Sequence, residues 1–196
     1  MVLDDRVTVG MNAFRRRVSW LLLVLFGGLA VWLYWPRDWA IRAIERAGGK
    51  VNRITGGPKA GEICVTLPDT VDDHDLAELS ALDRLHPAWL MLRGPKISGR
   101  GLASLTRLNC LFGLCLNHTN VRDEDLTRLR ELPNLEVLNL EGGLITDKGL
   151  ESVEQLFQLH DVNLWGNPVT AEGVKRLQSK RPDLIVRSRY EASDDD

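Results

Sequence analysis

Two short segments of the sequence, residues 138–141 and 161–165, alternate apolar residues with polar or aromatic ones. Successive side chains of a β-strand point to opposite faces, so the non-apolar side chains of each segment share one face. Amides and carboxylates offer hydrogen bonds, and an exposed indole stacks on a sugar ring or a peptide side chain. We interpret this set as a binding surface for a protein or glycan partner: Asn139, Glu141, Asp161, Asn163 and Trp165.

A structural explanation of the same residues stays open at this point. Trp165 then covers the edge of the last structural unit, and the two asparagines keep the strand surface soluble. The two interpretations differ in whether the indole contacts a partner or only its own chain.

One acidic cluster has residue types that suit a metal ion. Asp72, Asp73, His74 and Asp75 are consecutive, but they precede an apolar run at the place where a helix is expected to begin. Aspartate is a favoured helix N-cap, so we expect a capping role there and assign no metal ligand.

The sequence offers no recognisable catalytic or cofactor-binding motif. It contains no G-x-S-x-G, Walker loop, H-E-x-x-H or C-x-x-C pattern, and Cys64, Cys110 and Cys115 are expected to be free thiols. We assign no catalytic residue and no cofactor, and we predict that the protein is not an enzyme.

Composition excludes several other classes. The chain has 196 residues, of which 44% are apolar and 27% charged, as in an ordinary packed domain. Its net charge of −2 gives no attraction to nucleic acid, and we predict no nucleic-acid partner. Three cysteines cannot form a disulfide framework.

The elements that position the candidate surface belong to a repeat. Apolar residues recur every 24 positions in five columns. The columns are Leu90, Leu114, Leu138 and Val162; Leu92, Leu116, Leu140 and Leu164; Ile97, Val121, Ile145 and Val169; Leu102, Leu126, Leu150 and Val174; and Leu105, Leu129, Val153 and Leu177. A fixed period of this length predicts a stack of similar units that share one core.

The most regular unit is LPNLEVLNLEGGLITDKGL, from Leu132 to Leu150. It resembles the leucine-rich repeat, and the resemblance covers roughly residues 62–187. It implies an α/β solenoid with parallel strands on the concave side and helices on the convex side, which places the candidate surface on the concave side. We expect Asp123 and Asp147 to cap the helices that they begin, the second over Lys148–Leu156.

An apolar segment precedes the repeats. Residues 18–35, VSWLLLVLFGGLAVWLYW, contain Ser19 as their one polar residue and carry aromatic residues near both ends. A helix of this length covers about 27 Å, close to the thickness of a bilayer core. We predict a single transmembrane helix, since the run continues beyond Gly28 and Ala30, the small-x-small pair that would suit signal-peptide cleavage.

Flanking charges set the expected orientation. Four basic residues precede the span and four follow it closely, but the triplet Arg15–Arg17 directly abuts it. The positive-inside rule then favours residues 1–17 as a short basic cytoplasmic segment and the repeat domain outside.

The segment 36–61 is expected to form a linker helix and a capping hairpin, with a helix over 39–47 and strands over 51–54 and 62–67. The last residues, 188–196, read as an acidic tail. A basic N-terminus, one span, the sequence AIRAIERAGGKV (Ala40–Val51) and these repeats together are similar to small membrane-anchored leucine-rich repeat proteins of planctomycete bacteria.

Two hypotheses of function follow. The first is a membrane-anchored, non-catalytic module that binds a protein or glycan on its concave face. The second is an envelope scaffold that self-associates through the open ends of its solenoid.

Overall fold

The computed structural model of the chain describes residues 39–55, 59, 61–78 and 81–190. The chain divides into two units, Met1–Trp39 and Ala40–Asp196, and all described residues except Trp39 belong to the second. The predicted transmembrane segment 18–35, the basic segment 1–17 and residues 191–196 lie outside the described residues. Within the described part, no helix is long and apolar enough to span a bilayer.

The described part of the chain is an α/β fold in which strands and helices alternate. The strands are β1 Lys50–Arg53, β2 Ile63–Thr66, β3 Trp89–Arg93, β4 Gly113–Asn117, β5 Val137–Asn139, β6 Asp161–Asn163 and β7 Ile185–Arg187. The α-helices are α1 (residues 39–46), α2 Asp73–Glu78, α3 Ala81–Leu85, α4 Gly99–Leu105, α5 Asp147–Glu154 and α6 Ala171–Lys180, and Asp123–Glu131 form a 3₁₀ helix.

The strands form one sheet in the order β1 to β7. β1 pairs antiparallel with β2, and every later strand pairs parallel with the one before it. From β3 onward the register advances by 24 residues at each strand, so that Trp89, Gly113, Val137, Asp161 and Ile185 lie side by side. The predicted period is therefore the period of the sheet, and we call each strand with its following helix a unit.

The core lies between the sheet and the helices. All twenty members of the five apolar columns are buried, with at most 5% of each residue exposed. In β5, Leu138 is buried while Val137 and Asn139 are half-buried, which confirms the predicted alternation. A unit cannot bury its own leucines alone, so stacking creates the core.

The turns that leave β3, β4, β5 and β6 share a left-handed backbone conformation. Gly94, His118, Gly142 and Gly166, spaced by 24 residues, all have positive φ values between 56° and 106°. Glycine adopts this left-handed conformation without strain, and His118 is the one position of this column with a side chain. Its imidazole lies against Gly142, where a Cβ would come within 2.1 Å of Nδ1.

Three helices begin with a hydrogen-bonded link to the preceding unit. The first helical residue of one unit is an aspartate, and its carboxylate accepts the backbone N–H and the hydroxyl of the Ser or Thr that caps the next helix. The pairs are Asp73–Ser98, Asp123–Thr146 and Asp147–Thr170, with N···O distances of 2.8 Å and O···O distances of 2.5 Å in each.

This arrangement corrects the predicted role of Asp123 and Asp147. Neither aspartate caps the helix that it begins. The N-cap of α5 is Thr146, whose hydroxyl accepts from the N–H of Lys148, and the helix runs over Asp147–Glu154 rather than Lys148–Leu156. The carboxylates instead join neighbouring units, because each is directed along the stack and not along its own helix.

Each link requires a glycine three residues after the cap. A Cβ at Gly101, Gly149 or Gly173 would lie 2.5, 2.4 or 2.2 Å from the carboxylate oxygen of the linking aspartate. The glycine three residues after the cap therefore leaves room for the carboxylate of the preceding unit.

The unit that contains the 3₁₀ helix reverses the arrangement. At its junction with the preceding unit, Gly99 of that unit stands where the three linking aspartates stand elsewhere, Arg122 stands at the cap, and Asp125 stands where the other units have glycine. The Asp125 carboxylate accepts the N–H of Arg122 at 3.0 Å, and a Cβ on Gly99 would lie 1.7 Å from its Oδ1. A carboxylate therefore still meets the cap N–H, but it comes from the helix itself.

Different elements lie at the two ends of the sheet. At the first end, Ala40 and Ile44 of α1 pack into the core, and β1 adds an antiparallel edge strand close to the position predicted for it. At the last end, the buried guanidinium of Arg181 donates to the carbonyls of Leu156 and Leu159 at 3.0 and 2.8 Å. Beyond Arg181 the sheet ends with the three-residue strand β7.

Candidate functional site

The face of the sheet opposite the core, called the outward face here, carries the predicted surface. Asn139 and Asn163 are register partners on β5 and β6, and Arg187 of β7 continues their row. Val137, Asp161 and Ile185 form the neighbouring row, one step of the alternation earlier in each strand. Asn139 and Asn163 therefore share one face of the sheet, and Arg187 extends their row.

Asn139 and Asn163 have a structural task at the strand ends. The Asn139 Oδ1 accepts the N–H of Glu141 at 3.0 Å, and the Asn163 Oδ1 accepts the N–H of Trp165 at the same distance. Such local bonds compete with the sheet ladder and end a strand. The side-chain oxygen of each asparagine thus accepts a bond from its own chain, which favours the structural explanation for these oxygens. The side-chain N–H₂ groups are left as donors for a partner.

Asp161 is held in an ion pair that sequence reasoning missed. Its carboxylate lies 2.6 Å from Nη2 of Arg187, with the Asp161 side chain 20% and the Arg187 side chain 56% exposed. Arg187 stands 24 residues after Asn163, so the repeat period could have placed it beside Asp161.

Trp165 is exposed, as its place in the surface requires. The residue is 49% accessible and lies two residues after the end of β6, where its carbonyl accepts the N–H of Gly142 at 2.7 Å. The equivalent turn of the next unit is Arg189–Tyr190, and Tyr190 is 37% exposed. Two aromatic side chains thus occupy adjacent turns at the carboxyl ends of the last strands.

The five predicted residues do not form one tight cluster. Asp161 and Trp165 are four residues apart along extended chain, about 13 Å. Glu141 lies beside the Trp165 turn, and its carbonyl accepts the N–H of His118 at 2.8 Å. The surface therefore has two parts, one around Trp165 and Glu141 and one around the Asp161–Arg187 pair, joined by the asparagine row.

The outward face is least accessible at β4, where four of the five residues are buried. The Trp89 ring lies over Gly113, where a Cβ would come within 2.4 Å of it, and it contacts Phe112 with ring centres 5.9 Å apart. Cys115 is buried on β4, and burial raises the pKa of its thiol to about 11. A thiol with this pKa is protonated at neutral pH and is a poor nucleophile.

The cysteine and acidic-cluster predictions can be compared with the structure directly. Cys64, Cys110 and Cys115 are free. Asp72 caps α2, since its carboxylate accepts the N–H groups of His74 and Asp75 at 2.8 and 2.9 Å. The N–H of Asp75 is the main cause that lowers the pKa of Asp72.

Ligand atoms of Asp72, His74 and Asp75 lie within 4.8 Å of one another. The Asp75 carboxylate, however, accepts the N–H of Asp72 at 3.1 Å. The two carboxylates thus close a reciprocal cap on α2. This capping accounts for the cluster without a metal ion.

The outward face of the last units offers an exposed indole, a phenol, a partly exposed ion pair and amide donors. This combination suits non-covalent recognition of another molecule. In comparisons with known proteins, no family model matches the chain and no curated protein matches it.

Proposed function

We propose that the chain is a leucine-rich repeat solenoid anchored in a membrane by residues 18–35. The 24-residue register of the parallel strands and the burial of all five apolar columns support the solenoid. The apolar run and the triplet Arg15–Arg17 support an anchor with residues 1–17 inside and the repeats outside.

The function that we infer is binding of a protein or glycan partner on the concave face, without catalysis. The observation that carries this inference is Trp165, a large aromatic residue that is 49% exposed between polar groups of the same face. A side chain of this kind fits the anchor of an interface, where aromatic residues and arginine contribute most of the binding energy.

The distribution of exposed apolar residues supports the same region. Three of the large hydrophobic residues that are exposed in the described part lie on or shortly after the last two strands: Trp165, Ile185 and Tyr190. Met91 is the exposed large apolar residue on the earlier strands. We therefore place the partner on the last two units.

Anchoring makes weak binding sufficient. Partners that are confined to the same membrane surface meet at a raised effective concentration, so a small contact is occupied without high intrinsic affinity. A surface of a few side chains on short strands suits this regime.

A self-associating envelope scaffold is the second candidate. The observation that favours it is strand β7, which has no neighbour on one side among the described strands and exposes 57% of Ile185. Unprotected edge strands are sites where chains pair with each other.

Photocrosslinking in cells tests the binding proposal. A photoreactive residue replaces Trp165 in the full chain, and the control carries it at Glu151, which is exposed on α5. A discrete adduct at position 165 alone supports a partner on the outward face, and the compartment of that partner reports the orientation. Adducts of the chain with itself favour the scaffold, and equal labelling at both positions contradicts a site at Trp165.

A further inference from the structure

The free edge of β7 has unused backbone groups. The N–H of Ile185 donates to the carbonyl of His160, and the carbonyl of Arg187 accepts the N–H of Leu164, so these two residues face β6. Backbone groups of neighbouring strand residues point in opposite directions. The N–H and C=O of Val186 therefore point away from β6, where the described part of the sheet has no further strand.

The side chains of β7 are arranged for a symmetric contact. Val186 is buried in the core, while Ile185 and Arg187 lie on the outward face and are both exposed. In an antiparallel pair centred on Val186, its N–H and C=O would bond to those of the same residue in a second copy. Ile185 of each copy then lies opposite Arg187 of the other, at the spacing where cross-strand side chains contact.

We propose that β7 is the interface of a two-fold symmetric homodimer, in which the sheets of two copies join edge to edge. The inference deepens the scaffold alternative given above and rests on it. A two-fold contact uses the same patch on both copies, so the patch must be complementary to itself.

Charge supports a second copy as the occupant. The patch carries both signs, because Arg187 is paired with Asp161 of the neighbouring strand at 2.6 Å. A patch of a single sign would repel the same patch on a second copy. In the proposed pair, the aliphatic stem of Arg187 lies over Ile185 of the other copy, while its guanidinium stays paired with Asp161 of its own chain.

Continuity of the core supports the same geometry. Val186 extends the buried row of Leu138 and Val162 on the core side of the sheet. Pairing at Val186 brings two such rows together and removes the edge. The paired strands are short, so the interface is smaller than the roughly 1,200 Å² of a stable complex. We therefore expect dimers in the membrane, where confinement raises the effective concentration.

Cysteine pairing in lipid vesicles tests the register. Full chains carrying Ile185→Cys and full chains carrying Arg187→Cys, each with its own tag, are reconstituted together and oxidised. The expected result is a heterodisulfide at least about tenfold more abundant than the disulfide of Ile185→Cys chains alone, since directly opposite residues are closer than diagonal ones. Met91→Cys is the matched control, because Met91 is exposed on the same face but lies on β3.

A second measurement does not depend on disulfides. Photobleaching of single labelled chains in bilayers counts the copies per spot, and Ile185→Asp is expected to lower the dimer fraction at least about tenfold. Leu144→Asp, at a residue of similar exposure on a turn, is expected to leave it unchanged. Thermal melting shows that both variants remain folded.

Monomers in wild-type bilayers, or Met91→Cys crosslinks as abundant as the heterodisulfide, overturn the homodimer. These experiments contain no other partner, so their failure is distinct from failure of the Trp165 adduct.

Discussion

In this protein the backbone N–H of a helix N-cap residue is accepted by a carboxylate in one of two arrangements. At α4, α5 and α6 the N–H of the cap residue is accepted by an aspartate of the preceding unit, and at the 3₁₀ helix it is accepted by Asp125 of the helix itself. In both cases one carboxylate fills one space, and the facing position is glycine. Each of these helix starts therefore has a carboxylate acceptor for the cap N–H, but the carboxylate can come from the preceding unit or from the helix itself.

The two solutions differ in what they hold together. A carboxylate from the preceding unit bonds the hydroxyl of the cap as well as its N–H, and it links two layers of the stack. Asp125 bonds the N–H of Arg122 alone, within its own turn. The local solution coincides with a 3₁₀ helix in place of an α-helix.

The largest predicted loss of stability comes from placing two carboxylates together at the junction before the 3₁₀ helix. Gly99→Asp places a second carboxylate where a Cβ alone would lie 1.7 Å from Oδ1 of Asp125. Overpacking and the repulsion of two like charges are expected to lower the free energy of unfolding by about 3 kcal/mol or more. Urea unfolding of the full chain in detergent measures this loss.

Conversion of the whole junction provides the control. Gly99→Asp combined with Arg122→Thr and Asp125→Gly rebuilds the arrangement of the other units, and most of the lost stability should return. A triple variant no more stable than the single one would contradict the interchange of the two solutions.

A smaller effect is expected at the glycine of a regular junction. Gly173→Ala would normally stabilise a helix, but its Cβ would meet the Asp147 carboxylate at 2.2 Å and displace it from Thr170. We expect a loss of about 2 kcal/mol, the scale of hydrogen bonds to a charged group. The double variant with Asp147→Ala should show strong coupling, since the clash disappears with the carboxylate. Additive losses would show that the glycine serves another purpose.

The cap residues themselves should separate the two kinds of junction. Thr146→Ala removes the hydroxyl that accepts from Lys148 and donates to Asp123, at a cost of about 1 kcal/mol. Arg122→Ala keeps the one group that its junction uses, the backbone N–H, and should change stability by less than about 0.5 kcal/mol. Equal losses in chemical unfolding would contradict the distinction.

The sequence predicted the repeated layers well and the bonds between them poorly. Columns such as Leu138 and Leu140 follow from spacing alone, because burial depends on periodicity. The role of Asp147 does not follow from spacing. A carboxylate at the start of a helix can accept a hydrogen bond from its own turn or from the next unit, and both arrangements fit the same sequence. Only the position of Thr170 in space decides between them.

The candidate surface shows the same division. Exposure of Trp165 was predictable from alternation. The ion pair of Asp161 and the bonds of Asn139 depend on side-chain conformations and on a last strand that follows an irregular loop. Pro182, three residues before β7, interrupts the pattern there.

The smallest predicted effect is a dependence on pH at one link between units. Hydrogen bonds from the hydroxyl and the N–H of Thr170 hold the pKa of Asp147 below its ordinary value of 3.8. A carboxyl group with a lowered pKa in the folded state contributes stability above its unfolded pKa, and this contribution is lost as the pH falls through the folded pKa. Asp147→Asn does not titrate, so the excess melting temperature of the wild type over this variant should shrink between about pH 6 and about pH 2.5. Thr170→Ala, which removes the main cause of the shift, should weaken the same dependence, and an excess that grows toward acid would show that the link does not need the charged carboxylate.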